Sequence, residues 1–251
     1  MLIEVQNNTD NITLLPHRNI RMNSATAILV FTRTVKEESQ EKNFAGNGNA
    51  AINLSLSSGF INRTIREVRK SEIPYFIISS DLQRGSSFGE RLSNAFTEVF
   101  SVGFENVIAI GNDSPQLNST TLQAAVESLN KNNLVVGPDH RGGTYLIGIS
   151  KACFHAETFK SFSWKTSDLL SDILKWSSSS GYQTEVLQSL ADVNFSSDLK
   201  RLLRSNSVSF FLLKQLQSVL ASTFYSLNEE VILFFIPFHR HSISRRGPPL
   251  F

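Results

Sequence analysis

At 251 residues and 28.0 kDa, the chain has room for one large domain with an appendage, but not for two full-size domains. A hydrophobic content of 41% excludes a disordered chain, and a net charge of +2 gives no field of the kind that draws nucleic acid or an anionic membrane. The single cysteine, Cys153, excludes an internal disulfide framework or a cysteine-rich metal site and reads as a small buried hydrophobe.

Residues 1–24 show no clear period. They carry Glu4, Asp10, His17, Arg18 and Arg21 without an apolar core, which excludes a signal peptide and reads as an N-terminal arm. Ala27–Phe31 is a continuous apolar run rich in strand formers, the pattern of a strand buried on both faces. Tyr75–Ile78, Val107–Ile110, Leu134–Val136 and Tyr145–Ile149 repeat it. Helical patterns lie between these runs. An irregular one covers Ala50–Lys70. A second places Leu92, Ala95, Phe96, Val99 and Phe100 on one stripe stopped by Gly103. A third places Leu122, Ala125, Val126 and Leu129 on another, with Ser119 as its N-cap. Alternation of strand and helix from 25 to 136 predicts a mostly parallel sheet with helices on both faces.

The rule changes after Pro138. Only Asp139–Thr144 separates two apolar runs, too short for a crossover helix, so the sheet gains a feature foreign to a pure α/β fold. Further on, Ser167–Trp176 predicts a helix, Ser177–Ser180 a flexible loop and Val186–Val193 a late strand. From Ser207 the chain is Phe- and Leu-rich at helical spacing (Leu213, Leu216, Leu220, Phe224, Leu227). That stripe predicts packing on the main domain or across a homodimer interface. No run reaches the ~20 apolar residues of a bilayer span, so a cytoplasmic protein with no membrane partner is expected.

Three clusters are candidates for chemistry. Gly111-Asn112-Asp113-Ser114-Pro115 follows a buried strand, where open α/β sheets bind ligands; Asp113 is either a ligand for a divalent cation or a turn and helix-cap residue. Gly137–Gly143 is also at a strand end. Asp139 is a candidate for the same metal, Arg141 for gripping an anion and His140 for a base, against a plain glycine-containing connection. Arg84–Arg91 is a Gly/Ser-rich loop entering a helix that lacks the Gly-Lys-Ser/Thr ending of a P-loop; it is either an anion site or a flexible loop with a capped helix. There is no Gly-x-Ser-x-Gly elbow, and the His239-Arg240-His241 tail reads as a solvated end.

In order along the chain stand Phe88-Gly89-Glu90-Arg91-Leu92-Ser93-Asn94-Ala95-Phe96, Ile110-Gly111-Asn112-Asp113-Ser114-Pro115, Gly137-Pro138 with Gly142-Gly143-Thr144-Tyr145-Leu146-Ile147-Gly148, Trp164-Lys165-Thr166, Asp192-Val193 and Asp198-Leu199. Together they resemble the bacterial domain-of-unknown-function-2064 proteins. These are glycosyltransferase-A-like and distantly related to the 2-phospho-lactate and molybdenum-cofactor nucleotidyltransferases. The resemblance spans residues 25–203 and implies a three-layer α/β/α nucleotide-diphospho-sugar transferase fold, Rossmann-like, with residues 204–251 as a helical, apolar C-terminal extension. It implies a metal-dependent glycosyl- or nucleotidyltransferase acting on a nucleotide sugar or nucleoside triphosphate. The implied nucleotide-binding residues are Arg33, Gly85, Gly89, Arg91 and Gly111. Arg141, Gly142, Gly143 and Trp164 are implied on the acceptor side, and Asp113 and Asp139 on Mg²⁺ or Mn²⁺. No catalytic base is named.

The chain departs from the family twice. The family's Arg-Pro-x-x-Gly stretch ending in Lys-Thr-Arg-Leu is here Phe31-Thr32-Arg33-Thr34-Val35-Lys36-Glu37-Glu38, which keeps Arg33 and offers Lys36 and Lys42 as stand-in cations. The usual Asp-Gly-Gly-Tyr has Arg141 in place of its aspartate. These departures make a non-catalytic member that binds a nucleotide or a partner protein the second reading. A scaffold docking another subunit through the C-terminal segment is the third.

Overall fold

The computed structural model describes residues 25–45 and 50–204. The N-terminal arm, the Phe/Leu-rich stripe from Leu213 to Leu227 and the His239–His241 tail lie outside the described residues.

Six strands form one mixed sheet: β1 (Thr26–Phe31), β2 (Tyr75–Ile78), β3 (Asn106–Ile110), β4 (Leu134–Pro138), β5 (Thr144–Ser150) and β6 (Thr184–Val186), in the order β2-β1-β3-β5-β4-β6. β1 runs parallel to both β2 and β3. β5 runs antiparallel to both β3 and β4, while β6 is parallel to β4. Only β5 is therefore reversed, and it is the strand that the short Asp139–Thr144 connection forces to turn back.

The helices are α1 (Val35–Glu41), α2 (Ala50–Lys70), α3 (Phe88–Ser101), α4 (Ser119–Leu129), α5 (Ala156–Lys160), α6 (Leu169–Ser179) and α7 (Ser196–Arg204). Alternate residues of the buried strands feed two cores. Ala27, Leu29 and Phe31 meet Leu92, Phe96 and Phe100 of α3, together with Phe159 and Ile173 of α5 and α6. Ile28 and Val30 meet Val68 of α2 and Leu122, Ala125 and Leu129 of α4. This is the three-layer α/β/α arrangement. Phe96 is wholly buried and touches Phe100, Phe154 and Phe159; a ring buried in this way contributes roughly 1.5–3 kcal/mol.

Three local expectations are corrected. The cap of α4 is Asn118, whose side chain accepts from Thr121 N at 2.9 Å, because its extended backbone aims the amide at the open turn; Ser119 is already helical. Ser177–Ser179 continue α6 instead of forming a loop, since Ser177 is buried and donates to Leu174 O at 3.0 Å. The late strand is only Thr184–Val186. Beyond it the chain stays close through single bonds, Leu187 N to Val136 O (2.8 Å), Leu190 N to Pro138 O (3.1 Å) and Val193 N to Asp113 O (2.8 Å). Helices α1, α5 and α7 have no counterpart in the periodicity reading.

Candidate active site

The C-terminal ends of β1, β2 and β3 and the β4–β5 turn open on a cleft of about 920 Å³. Arg33, Gly85, Arg91, Gly111, Asp113, Asp139, Arg141, Gly143 and Trp164 all line it. Gly89 and Gly142 do not, and each serves a close packing instead. A Cβ at Gly89 would stand 2.5 Å from the Trp164 ring, so the glycine lets α3 sit against that indole. Gly142 has φ +88° and the Ser167 carbonyl 2.1 Å from where a Cβ would be, so only glycine fits this turn. Gly111 leaves open floor, since a Cβ there would meet only the Asp113 amide at 4.0 Å.

The floor of the cleft is a buried ionic network. Thr34 caps α1, which turns Glu38 inward to 1% exposure. Arg33 Nη1 donates to Glu38 Oε2 at 2.9 Å, Asn112 Nδ2 donates to Glu38 Oε1 at 2.9 Å, and Thr32 Oγ1 donates to Asn112 Oδ1 at 2.9 Å. Lys42, 6% exposed, lies 3.1 Å from Glu38 Oε1 and makes a close ion pair with Asp113 Oδ1. Burial alone would push the Glu38 carboxyl up, but Lys42, Asn112 and Arg33 outweigh it and hold the group below its ordinary value. Asp113 goes the other way. Although 43% of its side chain opens on the cleft, the enclosing walls push its carboxyl up, helped by Glu38 and opposed by Lys42 and Arg33.

The β4–β5 turn is held by Asp139, whose Oδ1 accepts from Arg141 N at 2.7 Å and Gly143 N at 2.9 Å. Arg141 reaches across to Asp198 (2.6 Å) and Asp192 (3.3 Å), tying the turn to the start of α7. Trp164 Nε1 donates to Phe159 O at 2.8 Å while its ring packs on Phe88 and Phe159. His140 is exposed and lies outside the cleft lining.

The opposite wall carries Arg91 and Lys165. Among the described residues neither has a carboxylate within ion-pair distance. Lys165 sits in the left-handed region at φ +63°, an uncommon conformation for a side-chain-bearing residue, and places its ammonium 5.4 Å from the Phe88 ring centre. Partial burial lowers its pKa, and Arg33 and Arg91 push it further down. Glu41 opposes that shift, and Arg33 has Glu38 as its partner, so Arg91 and Lys165 are the like charges brought together without a carboxylate in ion-pair distance among the described residues. The sequence reading assigned no role to Lys165. Periodicity is blind to it, and only its place beside Trp164 in a quoted motif marks it.

A divalent cation of the magnesium or manganese type needs several oxygen donors free to converge. Asp113 is held by an ammonium and Asp139 Oδ1 by two backbone amides. Among the described residues no group of three or more His, Cys, Asp or Glu side chains gathers to hold a metal. The donors as placed do not fit such an ion.

Residues 63–166 match the family described as "Uncharacterized protein conserved in bacteria (DUF2064)". Over that segment the family resemblance is shown. It contains Gly85, Gly89, Arg91, Asp113, Asp139, Arg141, Trp164 and Lys165; Arg33, Glu38 and Lys42 precede it, and Asp192 and Asp198 follow it. Among solved structures the chain is similar to a "putative nucleotide-diphospho-sugar transferase" from Desulfovibrio desulfuricans G20. The two are 24% identical, and the match covers 79% of this chain and 96% of that one at a TM-score of 0.68, which shows the fold. Weaker likenesses at 12% identity and TM-score 0.42 are Rv0371C of Mycobacterium tuberculosis H37Rv in complex with manganese (72% of this chain, 98% of that one) and a cytidylyltransferase from Leptospira borgpetersenii serovar Hardjo-bovis strain JB197 (82% and 98%). No curated protein matches. Among the described residues no helix is long and apolar enough to cross a membrane.

Proposed function

We propose that the cleft binds the phosphates of a nucleotide sugar or nucleoside triphosphate and that the chain is a glycosyl- or nucleotidyltransferase. The observation that carries this reading is that Arg91 and Lys165, neither in ion-pair distance of a carboxylate among the described residues, line with Arg33 a cleft at the ends of parallel strands. Transfer breaks the bond to a phosphate or diphosphate leaving group and forms one to an acceptor oxygen. The negative charge that grows on the departing phosphate is what Arg91 and Lys165 stabilise. Gly111 leaves room for the nucleotide, and the Gly85–Arg91 loop borders it. Arg141, Gly143 and Trp164 form the side left for the acceptor. Mg²⁺ or Mn²⁺ is the cofactor that the resemblance implies, but Asp113 Oδ1 is held by Lys42 and Asp139 Oδ1 by two backbone amides.

One observation favours a second reading, a non-catalytic nucleotide-binding member. Arg141 stands where the family has an aspartate and is neutralised by Asp192 and Asp198. A thermal-shift screen of nucleotides and nucleotide sugars, followed by turnover assays, tests both. A ligand at ~100 times its Kd adds ~2.7 kcal/mol, which raises Tm by about 5–10 °C in a chain of this size. Stabilisation with product formation supports the transferase, and stabilisation without turnover favours the second reading. No shift with any nucleotide or nucleotide sugar would overturn both.

A further inference from the structure

Lys42 is fixed at both ends. Its amide donates to Glu38 O at 3.0 Å, closing α1, and its carbonyl accepts from the Asn53 side-chain amide, which also accepts from Phe44 N at 2.8 Å. The backbone is thus pinned between α1 and α2, and the side chain has one direction left, toward the cleft floor. There its three ammonium protons have three acceptors: Glu38 Oε1 at 3.1 Å, Asp113 Oδ1 in the close pair, and Val193 O at 3.4 Å. The network is then neutral, with Arg33 and Lys42 balancing Glu38 and Asp113. A divalent ion taking Asp113 Oδ1 and Glu38 Oε1 together would have to evict the ammonium. That would leave a lysine that is 6% exposed without its counter-charges, a loss comparable to breaking a buried ion pair.

We propose that Lys42 is a built-in cation that holds the place of a divalent metal ion at Asp113, so that the cleft takes up its anionic ligand without Mg²⁺ or Mn²⁺. The ammonium does not itself bind that ligand, since its protons are spent. Together with Arg33 it neutralises the two carboxylates that would otherwise repel a phosphate from the floor, and leaves attraction to Arg91 and Lys165. The departure of the β1–α1 stretch from the Lys-Thr-Arg-Leu pattern and the engagement of both aspartates have a common account here. The stretch supplies a lysine where the site would otherwise need a metal. The role of Lys42 at Asp113 stands on geometry alone, and only its consequence for the ligand rests on the nucleotide reading.

The test is a Mn²⁺ titration of the full chain followed by electron paramagnetic resonance, with no nucleotide present. Wild type and Lys42→Arg are expected to take up no Mn²⁺ below millimolar concentration. Lys42→Gln frees Glu38 and Asp113 and is expected to bind Mn²⁺ at least tenfold more tightly. Stoichiometric micromolar uptake by wild type that Asp113→Asn abolishes would overturn the proposal, and this arm decides even if Lys42→Gln fails to fold. A folded Lys42→Gln that gains no Mn²⁺ would also overturn it. In calorimetry with ATP and CTP, Kd values within threefold in EDTA and in Mn²⁺ support metal-free uptake. Tenfold tightening by Mn²⁺ that Asp113→Asn removes overturns it. Nucleotides that bind under neither condition refute the nucleotide reading, while the Mn²⁺ titration still settles the role of Lys42.

Discussion

The floor and the far wall of the cleft use the same kinds of side chain in opposite ways. On the floor, Lys42 and Glu38 are almost wholly buried, and Arg33, Asn112 and Thr32 complete their hydrogen bonds. On the wall, Arg91 and Lys165 find no carboxylate partner among the described residues and press on one another electrostatically. A charge whose partners lie inside the fold serves the fold. A charge held at a cost, as Lys165 is by its left-handed backbone, is available to a ligand. The comparison predicts that substitutions on the floor change stability, whereas substitutions on the wall change binding.

The largest effect is expected at Lys42. Lys42→Met leaves Asp113 and the buried Glu38 short of a cation, and breaking a buried pair from one side costs about 3–5 kcal/mol. The double variant Glu38→Gln/Lys42→Met removes both charges and should lose less than the sum of the two single changes, because contacting groups couple. Urea denaturation of the four proteins measures this. A Lys42→Met loss below about 1 kcal/mol, within the range of exposed pairs, would put the floor in the same class as the wall.

On the wall the signs should divide. Lys165→Gly relieves the left-handed conformation and should raise stability by about 0.5–1 kcal/mol. The same change removes a charge from the anion site and should weaken nucleotide binding about tenfold, ~1.4 kcal/mol. Arg91→Ala should weaken binding similarly, with stability within about 0.5 kcal/mol of wild type. Denaturation and calorimetry on the same preparations check this. A Lys165→Gly protein that gains stability and keeps full affinity would remove Lys165 from the site.

What was legible in the sequence follows the same division. Runs buried on both faces betray themselves by composition, so all five strands expected between Ala27 and Ile149 are present, and the short Asp139–Thr144 link betrayed the reversed β5. The cleft position was also legible, because parallel strand ends must face it. The partners were not. Glu38 and Asp113 are 75 residues apart in the chain, yet both meet the Lys42 ammonium, and no periodicity reports a contact made by a short capped helix. In the sequence Glu38 is one of several acidic residues after Arg33; in the fold it is the centre of the floor. Likewise Gly89 and Gly142 belong to motifs, and their tight packing against Trp164 and Ser167 suffices to require glycine.

The smallest effect is expected at the rim, where Arg141 joins the turn after β4 to α7. Asp198 is 4% exposed. Its Oδ1 accepts from Arg141 at 2.6 Å, and its Oδ2 accepts from the Asn194 and Phe195 amides at 3.1 Å each. Burial would raise the Asp198 pKa, but Arg141 and the two amides prevail and hold it below its ordinary value. A carboxyl depressed in the folded state binds its proton less readily than in the unfolded chain. Its contribution to stability is therefore complete above the unfolded value near ~3.9, and it is lost as pH falls through the lower folded value. Because Arg141 is 43% exposed, solvent screening limits that contribution to about 1 kcal/mol. Asp198→Asn keeps an acceptor for the amides but cannot titrate. The stability gap between wild type and Asp198→Asn should be about 1 kcal/mol at pH 6 and shrink toward zero by about pH 2, with both proteins followed by urea denaturation at each pH. A gap that stays constant with pH would mean that Asp198 contributes through its hydrogen bonds alone. The rim would then join neither the charged floor nor the charged wall.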